Sequence, residues 1–588
     1  MSLPDANPHD VSTHDVNTHD LSPHEAARAA RAARAWGQPA FISVLSDEEI
    51  STYPATGELA GVPFAIKDNI DLAGHPTTAA NPSVTQPAKR SATVIGRLIA
   101  AGAVPVGKTN LDQYATGLVG TRTPFGACHS LFSDDHISGG SSSGSAIAVA
   151  SGIVPFALGT DTAGSGRVPA AFNALVGVKP TRGLVSTTGV LPACRTLDCV
   201  TVMAASVILA ARVFDAMVGF DPADPYSRPA PVGELPAPVG VLPSTRHRPV
   251  IGIPDLDLDL DPLHQQAWEQ AIAHATTRAT VIPVDVRPFL AAAELLYTGP
   301  WLAERALSFR HLLTDGAHID PTVRAIVSQA DRLTAIDTFA GMYRLAELRR
   351  QTEPTWDLVD ALLLPVTPTH PTLAEVAADP IEVNSRLGRF TNMTNLLDLC
   401  AVAVPAGMRL DGLPFGVQLL APAFSDRKLL DLAAHWCGEA PLPFVPTGSD
   451  GTVLLAVAGA HLSGQPLNHD LLRLGGRLAY TARTDPSYRM FEIPGPLRRP
   501  GLTRPTGAHA ENGGGIEVEV WRLPVSGMVR LLTSVSPPLA IGPMDLADGT
   551  RVLGFVCTSN EANAGREITS FGGWRAYLAA TDSMPQTR

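Results

Sequence analysis

The chain has 588 residues, 45% of them hydrophobic and only 17% charged, which excludes a wholly disordered protein and implies a large interior. At about 150 residues per domain, this length predicts two to four domains. The 56 acidic residues outnumber the 44 basic ones for a net charge of −12. That excludes nucleic acid as the main partner, because phosphate binding needs a basic surface.

Residues 7–26 repeat a pentapeptide, NPHDV, STHDV, NTHDL, SPHEA, with His9, His14, His19 and His24 five apart. This spacing does not gather side chains on one helix face, so residues 1–21 are predicted to be a disordered tail that holds no metal. Ser22-Pro23-His24-Glu25 then supplies a cap, a Pro at the first helical position and a Glu three residues after the Ser. A helix running to about Trp36 is predicted. From Gly61 to about Ala434, short apolar runs (VPFAI, AVPVG, IVPFALG, VGVLP, VIGIP, ATVIPVDV, ALLLPV, AVAVPAG) alternate with amphipathic stretches. The pattern predicts one large α/β domain, residues 22–437, around a sheet buried on both faces. GEAPLPFVPTGSDGT, residues 438–452, has the composition of a linker. Residues 453–588 carry VLLAVAGA, IEVEVWRL and RVLGFVC and are predicted to form a small separate domain, mostly β with short helices.

The six cysteines (Cys128, Cys194, Cys199, Cys400, Cys437, Cys557) form no CxxC pair, so free, mostly buried thiols in a reducing cytosol are predicted. No basic segment followed by an apolar run opens the chain. The longest weakly polar stretch, Ser145 to Thr160, contains Gly152 and Pro155 and is too short to span a bilayer. A soluble cytoplasmic protein without a membrane partner is expected.

Gly139 to Arg167 reads GGSSSGSAIAVASGIVPFALGTDTAGSGR: a Gly/Ser-rich loop, a small-residue helix, a strand and a second Gly-rich turn. A phosphate loop would carry Lys and then Ser or Thr after its second Gly, and this segment does not. Upstream, GVPFAIKDNID delivers Lys67 off the end of an apolar strand, where a charge is costly unless it is used or paired.

Together these residues resemble the amidase signature family over roughly residues 25–445, hydrolases that use a Ser, a cis-Ser and a Lys. TNMTNLLDLCAVAVPAG and GLPFGVQLLAP look like the closing strands of that family. The resemblance implies a large mixed β-sheet covered by helices. It makes Lys67 the family lysine, Ser141 the bridging serine after a cis peptide bond, and Ser165 in GTDTAGS the nucleophile. The chemistry fits these residue types. A serine hydroxyl needs a base, and Lys serves only when neutral, so burial must lower its pKa. The turn Thr162-Ala163-Gly164 can aim backbone N–H groups at a developing oxyanion, a role worth ~3–4 kcal/mol per donor.

Within that family the chain is most similar to the allophanate hydrolases. LLYTGPWLAERALSFR has helical periodicity and places Tyr297 and Arg305 on one side of a helix. The matching segment in those enzymes supplies a Tyr and an Arg that hold the substrate's carboxylate. QYATGLVGTRTPFGACHS is also similar, and Gly117 matches a glycine whose backbone meets the substrate. TVLLAVAGAHLSGQPLN, GIEVEVWRLP and ITSFGGWRAYL resemble their C-terminal domain, an α+β domain of γ-glutamyl-cyclotransferase-like fold linked to decarboxylating N-carboxycarbamate. His469 stands where an amide side chain is expected, and His461, His509 and Glu561 are open as acid/base groups.

The resemblance implies hydrolysis of allophanate (urea-1-carboxylate) to ammonia and carbon dioxide through an acyl-enzyme, with no cofactor and no metal. It also implies a homodimer and a functional link to urea carboxylase. The alternatives are a broad amidase or an amidotransferase A-type subunit, and a non-catalytic scaffold. The C-terminal domain and Arg305 argue against the first two, and the retained Lys67, Ser141 and Ser165 against the third.

Overall fold

The computed structural model describes residues 23–54, 56–229, 248–312, 318–439, 452–493, 498–504, 514–535, 538–547, 550–557 and 565–582. The histidine repeat, the VGVLP run at 239–243 and most of the proposed linker lie outside these residues. The first helix spans Pro23–Ala35, close to the span that its capping sequence predicts. The chain divides into two compact units, residues 1–235 with 247–439, and residues 236–246 with 440–588.

The larger unit is built on an eleven-stranded mixed sheet. In spatial order its strands begin at Phe41, Val104, Pro63, Phe156, Cys199, Val176, Leu399, Pro414, Ala361, Val250 and Thr280. The strands Pro63–Lys67, Val104–Thr109, Phe156–Asp161 and Ala361–Pro365 are buried at every position. This is why they read as continuous apolar runs rather than alternating ones. Pro63–Lys67 pairs parallel with Val104–Thr109 on one side and with Phe156–Asp161 on the other. Their carboxyl ends therefore open on the same edge, where open α/β sheets gather their ligands. The small-residue helix Ser143–Ala150 packs on these three strands. Close approach requires glycine there, since a Cβ at Gly144 would meet the Asn110 backbone N at 2.6 Å.

One sequence expectation is corrected. Tyr297 and Arg305 do not share a helix: Tyr297 belongs to Arg287–Thr298 and Arg305 to Trp301–Phe309. Gly299-Pro300 separates the two, because Pro300 lacks the N–H and the space that a continuing helix needs.

The smaller unit pairs five strands in the order Arg477–Arg483, Glu517–Pro524, Thr452–Val457, Arg551–Cys557 and Leu539–Asp545, beside a three-stranded sheet. Its core includes Leu455, Val520, Trp521, Leu531, Val552, Trp574 and Tyr577. All six cysteines are free, and Cys128, Cys194, Cys199 and Cys400 are buried. Among the described residues no helix is long and apolar enough to cross a membrane. Nor does any group of three His, Cys, Asp or Glu among them suit a metal.

Candidate active site

Lys67 ends its strand fully buried. Its Nζ donates to Ser141 Oγ at 2.7 Å and to Thr160 Oγ1 at 2.8 Å, and Asn69 Nδ2 donates to the same Thr160 oxygen at 3.2 Å. Burial pushes the Lys67 pKa down to about 7, although the carboxylates of Asp112, Asp161 and Asp198 favour its charged form. An amine in that range holds a substantial neutral fraction near neutrality and can accept a proton.

Ser141 sits at the mouth of the Gly/Ser loop, just before the small-residue helix, and the Gly140–Ser141 peptide is cis. The loop is held from both sides: Gly140 N–H donates to Leu118 O at 2.8 Å and Asp112 N–H to Ser141 O at 3.0 Å. A Cβ at Gly140 would collide with the Asp112 carboxylate, so the loop must be bare there.

Ser165 follows the Phe156–Asp161 strand in a tight turn with Gly164 at φ 132°. The Asp161 carboxylate accepts from Gly164 N–H at 2.7 Å, from Gly166 N–H at 3.2 Å and from Arg167 Nε at 2.9 Å. Burial alone would raise the Asp161 pKa, but the Arg167 guanidinium, Lys179 and the Gly164 N–H together hold the carboxyl below its usual range. Arg167 is itself fully buried and reaches Thr394 Oγ1 at 2.7 Å and Gln418 Oε1 at 2.8 Å, while Thr391 Oγ1 donates to Ala163 O at 2.6 Å. The late TNMTN segment thus clamps a turn more than two hundred residues upstream. Ser165 Oγ donates to Gly117 O at 3.4 Å, which brings the expected glycine against the expected nucleophile.

The three-donor expectation for the oxyanion turn is corrected at Gly164, whose N–H is committed to Asp161. Among the described residues, the N–H groups of Thr162 and Ala163 make no such bond to Asp161.

Arg305 is buried and reaches Thr116 Oγ1 at 2.9 Å and Ala115 O at 3.3 Å through Nη1. Tyr297 packs with Ala163, Cys194, Leu197, Leu296, Trp301 and Leu396, and lies within electrostatic reach of Arg305. Two helices therefore bring together what a single helix was expected to present. Sequence reasoning missed Thr160, Asn69, Asp161 and Asp198. Thr160 and Asp161 stood inside the GTDTAGS motif, whereas Asp198 had no local signal.

These segments follow one another along the chain in an order that is diagnostic, and the amidase family matches residues 44–430, more than half of the sequence. The chain belongs to the amidase family. Residues 453–579 of this amidase match a second family, the allophanate hydrolase C-terminal domain. The urea amidolyases of Lachancea kluyveri and of Saccharomyces cerevisiae are each 40% identical to it over 555 residues. Those matches cover 88% of this amidase and 30% of each relative, so the chain spans less than a third of their length. The allophanate hydrolase of Kluyveromyces lactis superposes with a TM-score of 0.69 at 36% identity, covering 95% of this chain and 97% of that one. A glutamyl-tRNA(Gln) amidotransferase polypeptide of Symbiobacterium thermophilum is 34% identical, over 64% of this chain and 82% of its own.

In the smaller unit a cavity of about 190 Å³ is lined by His461, Asp470, Arg499, Ser534 and Phe555, among others. His461 stacks on Phe555 with ring centroids 4.9 Å apart, and burial lowers its pKa. His469 is exposed beside Asp470, and His509 and Glu561 lie outside the described residues.

Proposed function

We propose that this amidase hydrolyses allophanate. The observation that carries the reading is a guanidinium, Arg305, buried in the wall beside an amide-hydrolysing constellation of Lys67, Ser141 and Ser165. A fixed fork of donors suits a substrate carboxylate, which glutamine side chains and aryl amides lack at that position.

Neutral Lys67 takes the Ser141 proton as Ser141 takes that of Ser165, once the Ser165 hydroxyl leaves the Gly117 carbonyl. Ser165 Oγ attacks the terminal amide carbon, and the N–H groups of Thr162 and Ala163 stabilise the oxyanion. The relay returns the proton to the leaving nitrogen, and ammonia departs. Water then cleaves the acyl-enzyme and leaves N-carboxycarbamate. Tyr297, Arg305 and the Gly117 backbone hold the substrate.

The C-terminal domain, for which we propose a γ-glutamyl-cyclotransferase-like fold, assists decarboxylation of that product. Its cavity, which carries Arg499 and His461, fits a small anion. The end products are ammonia and carbon dioxide. The urea amidolyase relatives support a functional link to urea carboxylase. A cytoplasmic homodimer completes the proposal.

Ammonia release from allophanate by the purified chain, with glutamine and an aryl amide as controls, tests the reading. Turnover of the controls without allophanate turnover would overturn it in favour of a broad amidase.

A further inference from the structure

The Ala193–Asp198 loop connects the two halves of the proposed site. On one side it is clipped to the helix that carries Arg305. Thr196 N–H and Thr196 Oγ1 each reach the Glu304 carboxylate at 2.7 Å, and Cys194 Sγ donates to Trp301 O at 3.4 Å. On the other side it grips the turn that carries Ser165, because Thr162 Oγ1 donates to Asp198 Oδ1. The Asp198 carboxylate also accepts from Ala193 N–H at 2.8 Å and Cys194 N–H at 3.2 Å, which closes the loop on itself. Asp198 is buried, so its charge is sustained by these three donors. Ala163, Cys194, Leu197 and Trp301 pack in one apolar cluster behind the loop.

We propose that Asp198 is a positioning residue that holds Thr162, and with it the oxyanion amides ahead of Ser165, in register with the Arg305 helix. The inference rests on the amide-hydrolysis reading and adds what keeps its two recognition elements at a fixed separation. Charge stabilisation by backbone amides depends steeply on donor placement, and a misplacement of about 1 Å can cost up to a hundredfold in rate. Titratable and charged groups around Asp198 include Lys67, Arg305, Cys194 and Cys199, with Glu304 bonded to the same loop and Arg182, Arg195, Tyr226 and Arg228 lining an adjoining cavity. Burial raises the Asp198 pKa to about 6, so the carboxylate is charged at the pH where Lys67 works and favours the protonated form of that lysine.

Two variants test the role. Thr162→Val keeps the backbone N–H and the side-chain volume and removes only the hydroxyl that grips Asp198. Asp198→Asn leaves one acceptor oxygen for three donors. The rate at which a fluorophosphonate probe captures Ser165 reads the oxyanion turn without any carboxylate recognition. Both variants are expected to slow capture by about tenfold or more, and Thr162→Ser to restore most of the rate lost in Thr162→Val. In Asp198→Asn the acid limb of kcat/KM should move to lower pH, because an anion that favours charged Lys67 has gone. Capture at the wild-type rate in Thr162→Val would overturn the proposal, whether or not Asp198→Asn folds. Should wild type capture the probe yet release no ammonia from allophanate, the substrate reading fails and the capture rates still judge Asp198.

Discussion

At the scale of single residues, the serines of the Gly/Ser loop divide by what their oxygens already do. Ser145 Oγ donates to Leu158 O at 2.8 Å and meets Thr109 Oγ1 at 2.7 Å, and Ser143 Oγ reaches Asn110 O at 3.5 Å. Ser165 Oγ holds a long contact, 3.4 Å to Gly117 O, and is not tied down by short bonds as Ser145 Oγ is. Ser165→Ala should therefore abolish ammonia release with no loss of melting temperature, and a covalent serine probe should label wild type at Ser165, as peptide mapping would check. Labelling at Ser143 or Ser145 would contradict the assignment. Lys67 has the opposite character, useful and costly. Its pKa of about 7 in the folded chain lies below the ordinary 10.5. Between those values the unfolded chain binds a proton that the native chain does not, so stability from this group rises with pH across that window and is lowest below about 7. Lys67→Met should silence turnover. Its melting temperature relative to wild type should be more favourable at about pH 6 than at about pH 9, a sign that thermal scans at the two pH values would check. Wild-type kcat/KM should fall as pH drops through about 7, because only the neutral amine accepts a proton.

At the scale of elements, the nucleophile turn depends on a bare backbone. Gly164 sits at φ 132°, a region that L side chains rarely adopt, and a Cβ there would collide with Thr391 Oγ1. Gly164→Ala should lower the melting temperature, with a strain of order 1–3 kcal/mol, and cut kcat/KM by moving the oxyanion amides. The corner Gly299-Pro300 matters for a different reason. It ends one helix so that the next can turn Arg305 toward Thr116 Oγ1 and the Ala115 carbonyl, just ahead of Gly117. If Arg305 forks onto the substrate carboxylate, Arg305→Lys should cost nearly as much as Arg305→Ala, about 1.5–3 kcal/mol in kcat/KM for allophanate, with little effect on neutral biuret. Equal losses on both substrates would make Arg305 a packing residue. Tyr114 and Ala115, with φ of 54° and 52°, are a further unusual stretch that the sequence did not announce. The strand Pro63–Lys67, by contrast, was legible because full burial writes an unbroken apolar run ending in a charge.

At the scale of the whole molecule, each unit carries apolar clusters of its own among the described residues. Every residue of the C-terminal cluster lies beyond 452, while the clusters around the amidase sheet lie before 440. Since most stability comes from burial within a core, a chain ending at residue 439 should unfold cooperatively and retain the first release of ammonia from allophanate. Its N-carboxycarbamate should accumulate relative to full-length protein, which carbon-13 NMR of the reaction would check. Indistinguishable product profiles would remove the C-terminal domain from the proposed decarboxylation.

What the amino-acid sequence determined by itself was the material of the site. The resemblance of the apolar strand ending in Lys67, the Gly/Ser loop and the GTDTAGS turn to the amidase signature picked out Lys67, Ser141 and Ser165, because each lies within a short segment whose pattern is set by its own neighbours. Only the tertiary structure decided which residues surround them. Asp198 reaches Thr162 from 36 positions away, Arg305 reaches Thr116 across 189, and Arg167 meets Gln418 across 251. Local spacing encodes which face of an element is apolar, but not which distant segments close against each other, since that depends on the packing of the whole sheet. The break at Gly299-Pro300 and the commitment of the Gly164 amide to Asp161 belong to this second class. So does the lowered pKa of Lys67, for the water that would hold its charge is excluded only once all the surrounding strands and loops have come together.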